Sequence, residues 1–311
     1  MKVLSLFDGI SCGMVALERI GIKINRYYAS EVDKYAIQIA QKNYPDTIQL
    51  GDVKEVRGVD LPKIDLLIGG SPCQGFSFAG KQLNFDDPRS KLFFEFVRLL
   101  KETQPKYFLL ENVKMKKEYQ DVISEYLGVE PIEINSALVS AQNRVRLYWT
   151  NIPDVKQPND KKISLEDILE DITYSSSGAI RGRRLNKGTI IGRRLNKNRK
   201  REDYNKEIPI TQCLEVRATN TNKSNCLTTV DKDNVLTPLE IGRHPNAYKN
   251  NLPFRYYTVT EYERLQTLPD GYTEGVSVSQ RKKALGNGWT VDVIAHILSF
   301  IPKGEVLHND N

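Results

Sequence analysis

Apolar residues in the first half of the chain fall into short, strand-length runs separated by stretches with helical spacing. Val3–Phe7, Arg26–Ser30, Ile64–Ile68, Tyr107–Leu110 and Arg146–Trp149 read as strands, with a further strand expected just before Asp52. Between them, a glycine-bearing turn leads into a helix reaching about Ile20, and Tyr35–Lys42 has a helical pattern. Lys91–Thr103 is the most regular helix, because Leu92, Phe93, Phe96, Val97, Leu99 and Leu100 share one face. Strands alternating with helices predict an α/β fold, a doubly wound, mostly parallel sheet with helices on both faces. Residues 1–153 carry this rhythm.

From 154 to 255 the rhythm stops, and the chain becomes rich in Asn, Lys, Arg and Thr with short β-like pieces. Helical spacing returns in 256–311, at Thr260–Thr267 and Thr290–Ile301. A smaller, β-rich insert dividing one α/β domain is therefore expected. Inside it, Gly182-Arg183-Arg184-Leu185-Asn186-Lys187 is repeated ten residues later as Gly192-Arg193-Arg194-Leu195-Asn196-Lys197. Two copies do not make a solenoid, and Asn186-Lys187-Gly188 is read as a hairpin turn between two basic strands.

The composition changes this picture in one place. A formal net charge of +6 over 311 residues decides little, but Arg181 to Arg201 holds ten basic residues and no acid. Such a block fits either a polyanion-binding surface or a solvated basic loop. The four cysteines, Cys12, Cys73, Cys213 and Cys226, have no CxxC spacing and only three histidines accompany them, so neither a metal site nor a disulfide framework is expected. Asp8 interrupts the apolar N-terminal run too early for a signal peptide, and no run approaches the ~20 apolar residues needed to span a bilayer. A cytoplasmic location is expected.

Ligands of open parallel sheets bind beyond the carboxyl ends of the strands. The residues predicted at those ends are Asp8-Gly9, Glu31, Asp52, Cys73 and Glu111-Asn112. The turn Phe7-Asp8-Gly9-Ile10-Ser11-Cys12-Gly13 lets a ligand approach the backbone, but it is not GxGxxG, which disfavours a dinucleotide dehydrogenase. Glu31, 22 residues after Gly9, is placed to accept from a ribose diol. Cys73 stands between Pro72, which stiffens its loop, and Gly75, which allows close approach; a thiol there suits a nucleophile. Cys12, Cys213 and Cys226 read as small packing residues.

These segments, in this order, resemble the DNA cytosine-C5 methyltransferase family of prokaryotic and phage type, over nearly all of the chain outside the insert. The resemblance is carried by Phe7–Gly13, Pro72-Cys73-Gln74, Asp86-Asp87-Pro88-Arg89, Glu111-Asn112-Val113, Gln142-Asn143-Arg144-Val145-Arg146, Thr260–Gln266 and Gly286-Asn287. Trp289 departs from the small residue common in bacterial members and is similar to the animal de novo enzymes.

The resemblance implies a class I, Rossmann-like S-adenosyl-L-methionine-dependent fold with an inserted target-recognition domain, acting on double-stranded DNA as a monomer and releasing S-adenosyl-L-homocysteine. It implies that Cys73 attacks C6 of a flipped-out cytosine, that Glu111 engages N3 and the exocyclic amine, that Arg146 donates to O2, and that Arg144 orients the site or meets a phosphate. Gln74 and the loop through Phe78–Arg89 would close over the substrate. Cofactor contacts are implied at Phe7, Asp8, Gly9, Ile10, Gly13, Glu31, Val32, Asp52, Val53, Ser71, Pro72, Asn287 and Trp289. DNA contacts are implied at Ser77, Arg89, Arg181, Arg183, Arg184, Arg193, Arg194 and Thr228, with no metal. A cognate restriction endonuclease is a possible companion. Two alternatives stay open on these residues: an RNA methyltransferase of the same fold, and a silent DNA-binding paralogue.

Overall fold

The structure, a computed structural model, describes residues 1–71, 91–171, 185–198, 200–217, 223–229, 234–238, 247–248 and 254–302. Seven strands form the main sheet: β1 (Lys2–Leu6), β2 (Arg26–Ser30), β3 (Ile48–Gln49), β4 (Leu66–Gly70), β5 (Tyr107–Val113), β6 (Ile132–Asn135) and β7 (Val145–Thr150). Their order is β3-β2-β1-β4-β5-β7-β6. The first five are parallel, in register from Val3↔Tyr27 through Leu67↔Phe108, whereas β7 runs antiparallel to both β5 and β6.

Alternation along the strands divides the core in two. Val3, Leu66, Ile68 and Leu109 face one side, packing with α1 (Cys12–Arg19) and α2 (Lys34–Asn43). Leu4, Leu6, Leu67, Phe108 and Leu110 face the other, packing with α3 (Lys91–Thr103) and α4 (Lys117–Leu127). Buried on both faces, these strands are the near-continuous apolar runs read in the sequence.

Polar residues account for the places where the pattern was illegible. β5 continues three residues past Leu110, because Glu111 and Asn112 are polar yet buried in the strand. α4 buries only Ile123, Ser124 and Leu127, too thin a stripe to stand out.

After a short helix α5 (Leu165–Ile168), the insert forms an antiparallel sheet of β8 (Leu185–Arg194), β9 (Ile210–Arg217), β10 (Val235–Pro238), β11 (Ala247–Tyr248) and β12 (Arg255–Tyr256), in the order β11-β9-β8-β10-β12. The expected hairpin at Asn186-Lys187-Gly188 is not there. β8 runs straight through it, paired to β9 from Lys187↔Arg217 to Arg194↔Ile210. Ile190, packed with Leu214, Val216, Val235 and Phe254, anchors β8 into a small core, and the chain reverses only after the second copy, where Leu195 bridges Arg201. Leu165, Ile168 and Leu169, within the expected insert, are buried in the main core with α1.

The chain returns through α6 (Val259–Leu265), α7 (Val278–Asn287) and α8 (Val291–Leu298). A capping box of Thr258 and Glu261 starts α6. Among the described residues, no helix is long and apolar enough to cross a membrane.

Candidate active site

Because β1, β2, β4 and β5 are parallel, their carboxyl ends meet at one edge of the sheet; because β7 is antiparallel, its beginning joins them there. An open cleft of about 600 Å³ lies along this edge. Of the expected cofactor positions, Phe7, Asp8, Gly9, Ile10, Glu31, Val32, Asp52, Val53, Ser71, Asn287 and Trp289 line it, as do Glu111, Arg144 and Arg146. Gly13 does not. A Cβ there would run into the Ile68 side chain, so this glycine brings α1 close to β4 and faces the sheet instead of the cleft.

The turn after β1 is backbone held against its preferences. Phe7, Gly9 and Ser11 have φ of 56°, 59° and 57°, a left-handed conformation that costs roughly 1–3 kcal/mol at each non-glycine position. Three backbone N–H groups meet on Glu31: Gly9 donates to Oε2 at 2.8 Å, and Val32 and Asp33 both donate to Oε1 at 2.8 Å. The Asp8 carboxylate is committed elsewhere, accepting from Tyr27 Oη at 2.8 Å and Ser11 Oγ at 2.5 Å. Burial raises its pKa against the pull of those hydroxyls. Asp8 therefore offers the cleft its backbone. Burial likewise pushes the Cys12 thiol up to about 12, which makes it inert.

At the other end of the cleft stands Glu111. Its Oε1 lies 3.0 Å from Arg146 Nε, and its Oε2 accepts from Trp289 Nε1 at 3.2 Å. Burial works against the Arg146 charge, but the Glu111 carboxylate together with Cys226 and Tyr148 outweighs it, and the guanidinium pKa is raised. Asn112 is 2% exposed and donates to the carbonyl and hydroxyl oxygens of Ser71, tying the end of β4 to β5.

Arg144, 4% exposed, meets no carboxylate; its guanidinium donates to the carbonyls of Leu227 (3.2 Å), Gly286 (3.4 Å) and Gly288 (2.9 Å). It joins three segments at the site. Gln142 works beside it, donating to Leu265 O at 2.9 Å and accepting from Leu227 N at 2.8 Å. Alternation puts Gln142, Arg144 and Arg146 on one side of the chain entering β7. The Gln-x-Arg-x-Arg spacing carried that signal, although only its arginines were read as site residues.

The insert reaches the site through residues 223–229. Ser224 donates to Ala141 O and accepts from Asn143 N, and the Lys223 ammonium sits among the carbonyls of Ala137, Ser140 and Ile163. This places Thr228 against Gly286. Cys226, read as a packing residue, is half-exposed, with its sulfur 3.4 Å from Arg144 Nη1 and 3.7 Å from Arg146 Nη2. No spacing in the sequence marks it. Cys213 is fully buried.

Two expected DNA contacts have intramolecular partners. Arg193 is paired with Glu215 at 2.6 Å and Asp203 at 3.5 Å, and Arg194 donates to the carbonyls of Lys206 and Ile208. Acids beyond the basic block thus fold back onto it. Pro72, Cys73, Gln74, Ser77, Arg89, Arg181, Arg183 and Arg184 lie outside the described residues, as does the loop Phe78–Arg89.

A seven-stranded sheet with one reversed strand and a cleft at its carboxyl edge defines a Rossmann-like methyltransferase fold. The family model for C-5 cytosine-specific DNA methylases matches residues 1–303, and the chain belongs to that family. It is 40% identical over 186 residues to the orphan methyltransferase M.SPRI of Bacillus phage SPR, covering 55% of this chain and 42% of that protein. It is 32% identical over 320 residues to the type II methyltransferase M1.ScrFI of Lactococcus lactis subsp. cremoris, covering 94% of this chain and 76% of that one. The match thus spans under half the length of the phage relative but three quarters of the lactococcal one. In fold, it resembles the Entamoeba histolytica methyltransferase EhMeth (TM-score 0.68, 17% identity, 96% and 97% of the two chains) and the S. pombe Dnmt2 methyltransferase (TM-score 0.67, 19% identity, 96% and 97%).

Proposed function

We propose that this chain methylates C5 of a flipped-out cytosine in a specific sequence of double-stranded DNA, through a covalent bond between Cys73 and C6. The observation that carries the proposal is the pairing of Glu111 with Arg146 at one end of a cleft whose other end presents Glu31. A carboxylate and a fixed guanidinium side by side suit a ring that gains and loses charge during the reaction.

The cleft fits S-adenosyl-L-methionine. Glu31 is already set by three backbone donors and keeps one Oε2 lone pair for a ribose hydroxyl. The exposed side chain of Val32 offers an apolar face to a purine, and Asp52 lines the same end for its exocyclic amine. The strained backbone of Phe7–Ser11 borders the part of the cleft left for the methionine end. When bound there, the cofactor supplies an electrophilic methyl group.

The chain's own residues then act on the base. The Cys73 thiolate adds to C6, making C5 nucleophilic enough to take the methyl group. The Glu111 carboxyl donates a proton toward N3 as charge builds there and accepts from the exocyclic amine, while Arg146 donates to O2. Arg144, walled in by carbonyls, positions the site. Removal of the C5 proton and expulsion of Cys73 complete the cycle. Extrusion of the base from the stack is needed, because C6 is inaccessible within a duplex.

The test is to incubate the chain with labelled cofactor and either duplex DNA or tRNA, and then to locate methylated cytosines by bisulfite sequencing. Label is expected in DNA at one recurring sequence. Methylation of tRNA alone would overturn the proposal, as would an adduct with 5-fluorocytosine DNA that persists in Cys73→Ala.

A further inference from the structure

We infer that Trp289 is a positioning residue for Glu111, its indole N–H holding the carboxylate ready for the base; this rests on the role given to Glu111 above. Each Glu111 oxygen has its own directional donor, Arg146 Nε on Oε1 at 3.0 Å and Trp289 Nε1 on Oε2 at 3.2 Å. At 9% exposure, little water competes for either. A carboxylate gripped at both oxygens keeps one plane, and its remaining lone pairs point in fixed directions.

The neighbourhood is built to admit this contact. A Cβ on Gly70, at the end of β4, would stand 2.8 Å from Trp289 Nε1 and 3.1 Å from Glu111 Oε2. The bare Cα at that position leaves the donor and the acceptor free to meet. The turn carrying the indole is also fixed. Arg144 donates to the carbonyls of Gly286 and Gly288, and Gln266 Nε2 to those of Leu285 (2.6 Å) and Gly288 (3.1 Å). The two arginines of the β7 approach therefore serve one carboxylate, Arg146 by touching it and Arg144 through the turn that presents Trp289.

The experiment compares Trp289→Phe, which keeps a ring and removes the N–H, with the unaltered full-length chain. Turnover is measured, with KM for the cofactor, thermal midpoint and S-adenosyl-L-homocysteine binding determined alongside. Trp289→Phe should lower kcat by about tenfold with KM for the cofactor within about twofold. Gly70→Ala, which crowds the indole away, should lower kcat in the same way with KM for the cofactor little altered, and decides the matter if Trp289→Phe does not fold. An unaltered kcat, or a change confined to KM for the cofactor, would make Trp289 only a wall of the cofactor cleft. Glu111→Gln separates the two claims: full activity there sinks the role of Glu111 itself, whereas an inactive Glu111→Gln beside an unaffected Trp289→Phe sinks this inference alone.

Discussion

The backbone of Thr228 presses so closely on Gly286 that a Cβ there would stand 2.5 Å from the Thr228 carbonyl oxygen and 2.8 Å from the Thr229 nitrogen. Both obstacles are backbone, so nothing can rotate aside. Gly286→Ala should cost about 1–3 kcal/mol by overpacking. It should also slow turnover, since Leu227 and Cys226 would withdraw from the two arginines. Thermal unfolding and initial rates check this; if both are unaltered, the seam yields freely and the contact is unimportant.

Glu31 accepts three backbone N–H groups, and Gln at that position would turn an N–H₂ toward one set of donors. Glu31→Gln should weaken binding of S-adenosyl-L-homocysteine by about 1–3 kcal/mol, the penalty of an unsatisfied buried donor together with a lost ribose contact. Isothermal titration calorimetry measures it, and an unaltered Kd would remove Glu31 from the cofactor site.

Glu261, fully buried, accepts from Arg255 Nη1 and Nη2, from Thr258 N and from Glu170 N. It thereby clasps both crossings between insert and main sheet. Glu261→Ala strands a buried guanidinium and should destabilise the fold by about 3–5 kcal/mol, whereas the double replacement Arg255→Met with Glu261→Met should lose less. Urea unfolding of the three proteins decides; a double variant worse than Glu261→Ala would contradict the argument.

Asp33 caps α2 through the amides of Tyr35 and Ala36 and pairs with Lys283 at 2.7 Å. Burial alone would raise its pKa, but Lys283 and the two amides outweigh it, and the net shift is downward from 3.8. A carboxylate lowered by folding contributes stability above its ordinary pKa and loses it as the pH falls through the lowered value. The stability lost in Asp33→Asn should therefore be larger at pH 6 than at pH 3, and modest at its largest because the pair is partly exposed. Urea titrations at both pH values test this; equal losses would show that the charge plays no part.

The parallel sheet was legible because strands buried on both faces cannot hide their apolar runs, and Arg26–Ser30 and Lys91–Thr103 were read to the residue. The edge was legible too, since parallel strands deliver their carboxyl ends together. What failed were readings that depend on distant partners. Asn186-Lys187-Gly188 has the local chemistry of a turn, yet β9 and β10 flank it and keep it extended. The partner of Arg193, Glu215, is 22 residues away and invisible to a local charge count. Cys226 looked like any small hydrophobe until Ser224 was laid beside Gln142, which carries the thiol to both arginines.

Residues 223–229 belong to the insert by chain order but to the catalytic wall by contact. We propose that the insert reads the DNA sequence, and exchange of that specificity among relatives then has a natural seam. A graft that replaces β8 and β9 but leaves these seven residues with their host keeps Arg144 and Gln142 fully partnered. One that carries foreign residues across the seam brings a new reader and an unsettled active site together. New sequence preferences should accordingly arise more readily in the outer strands than beside Gly286.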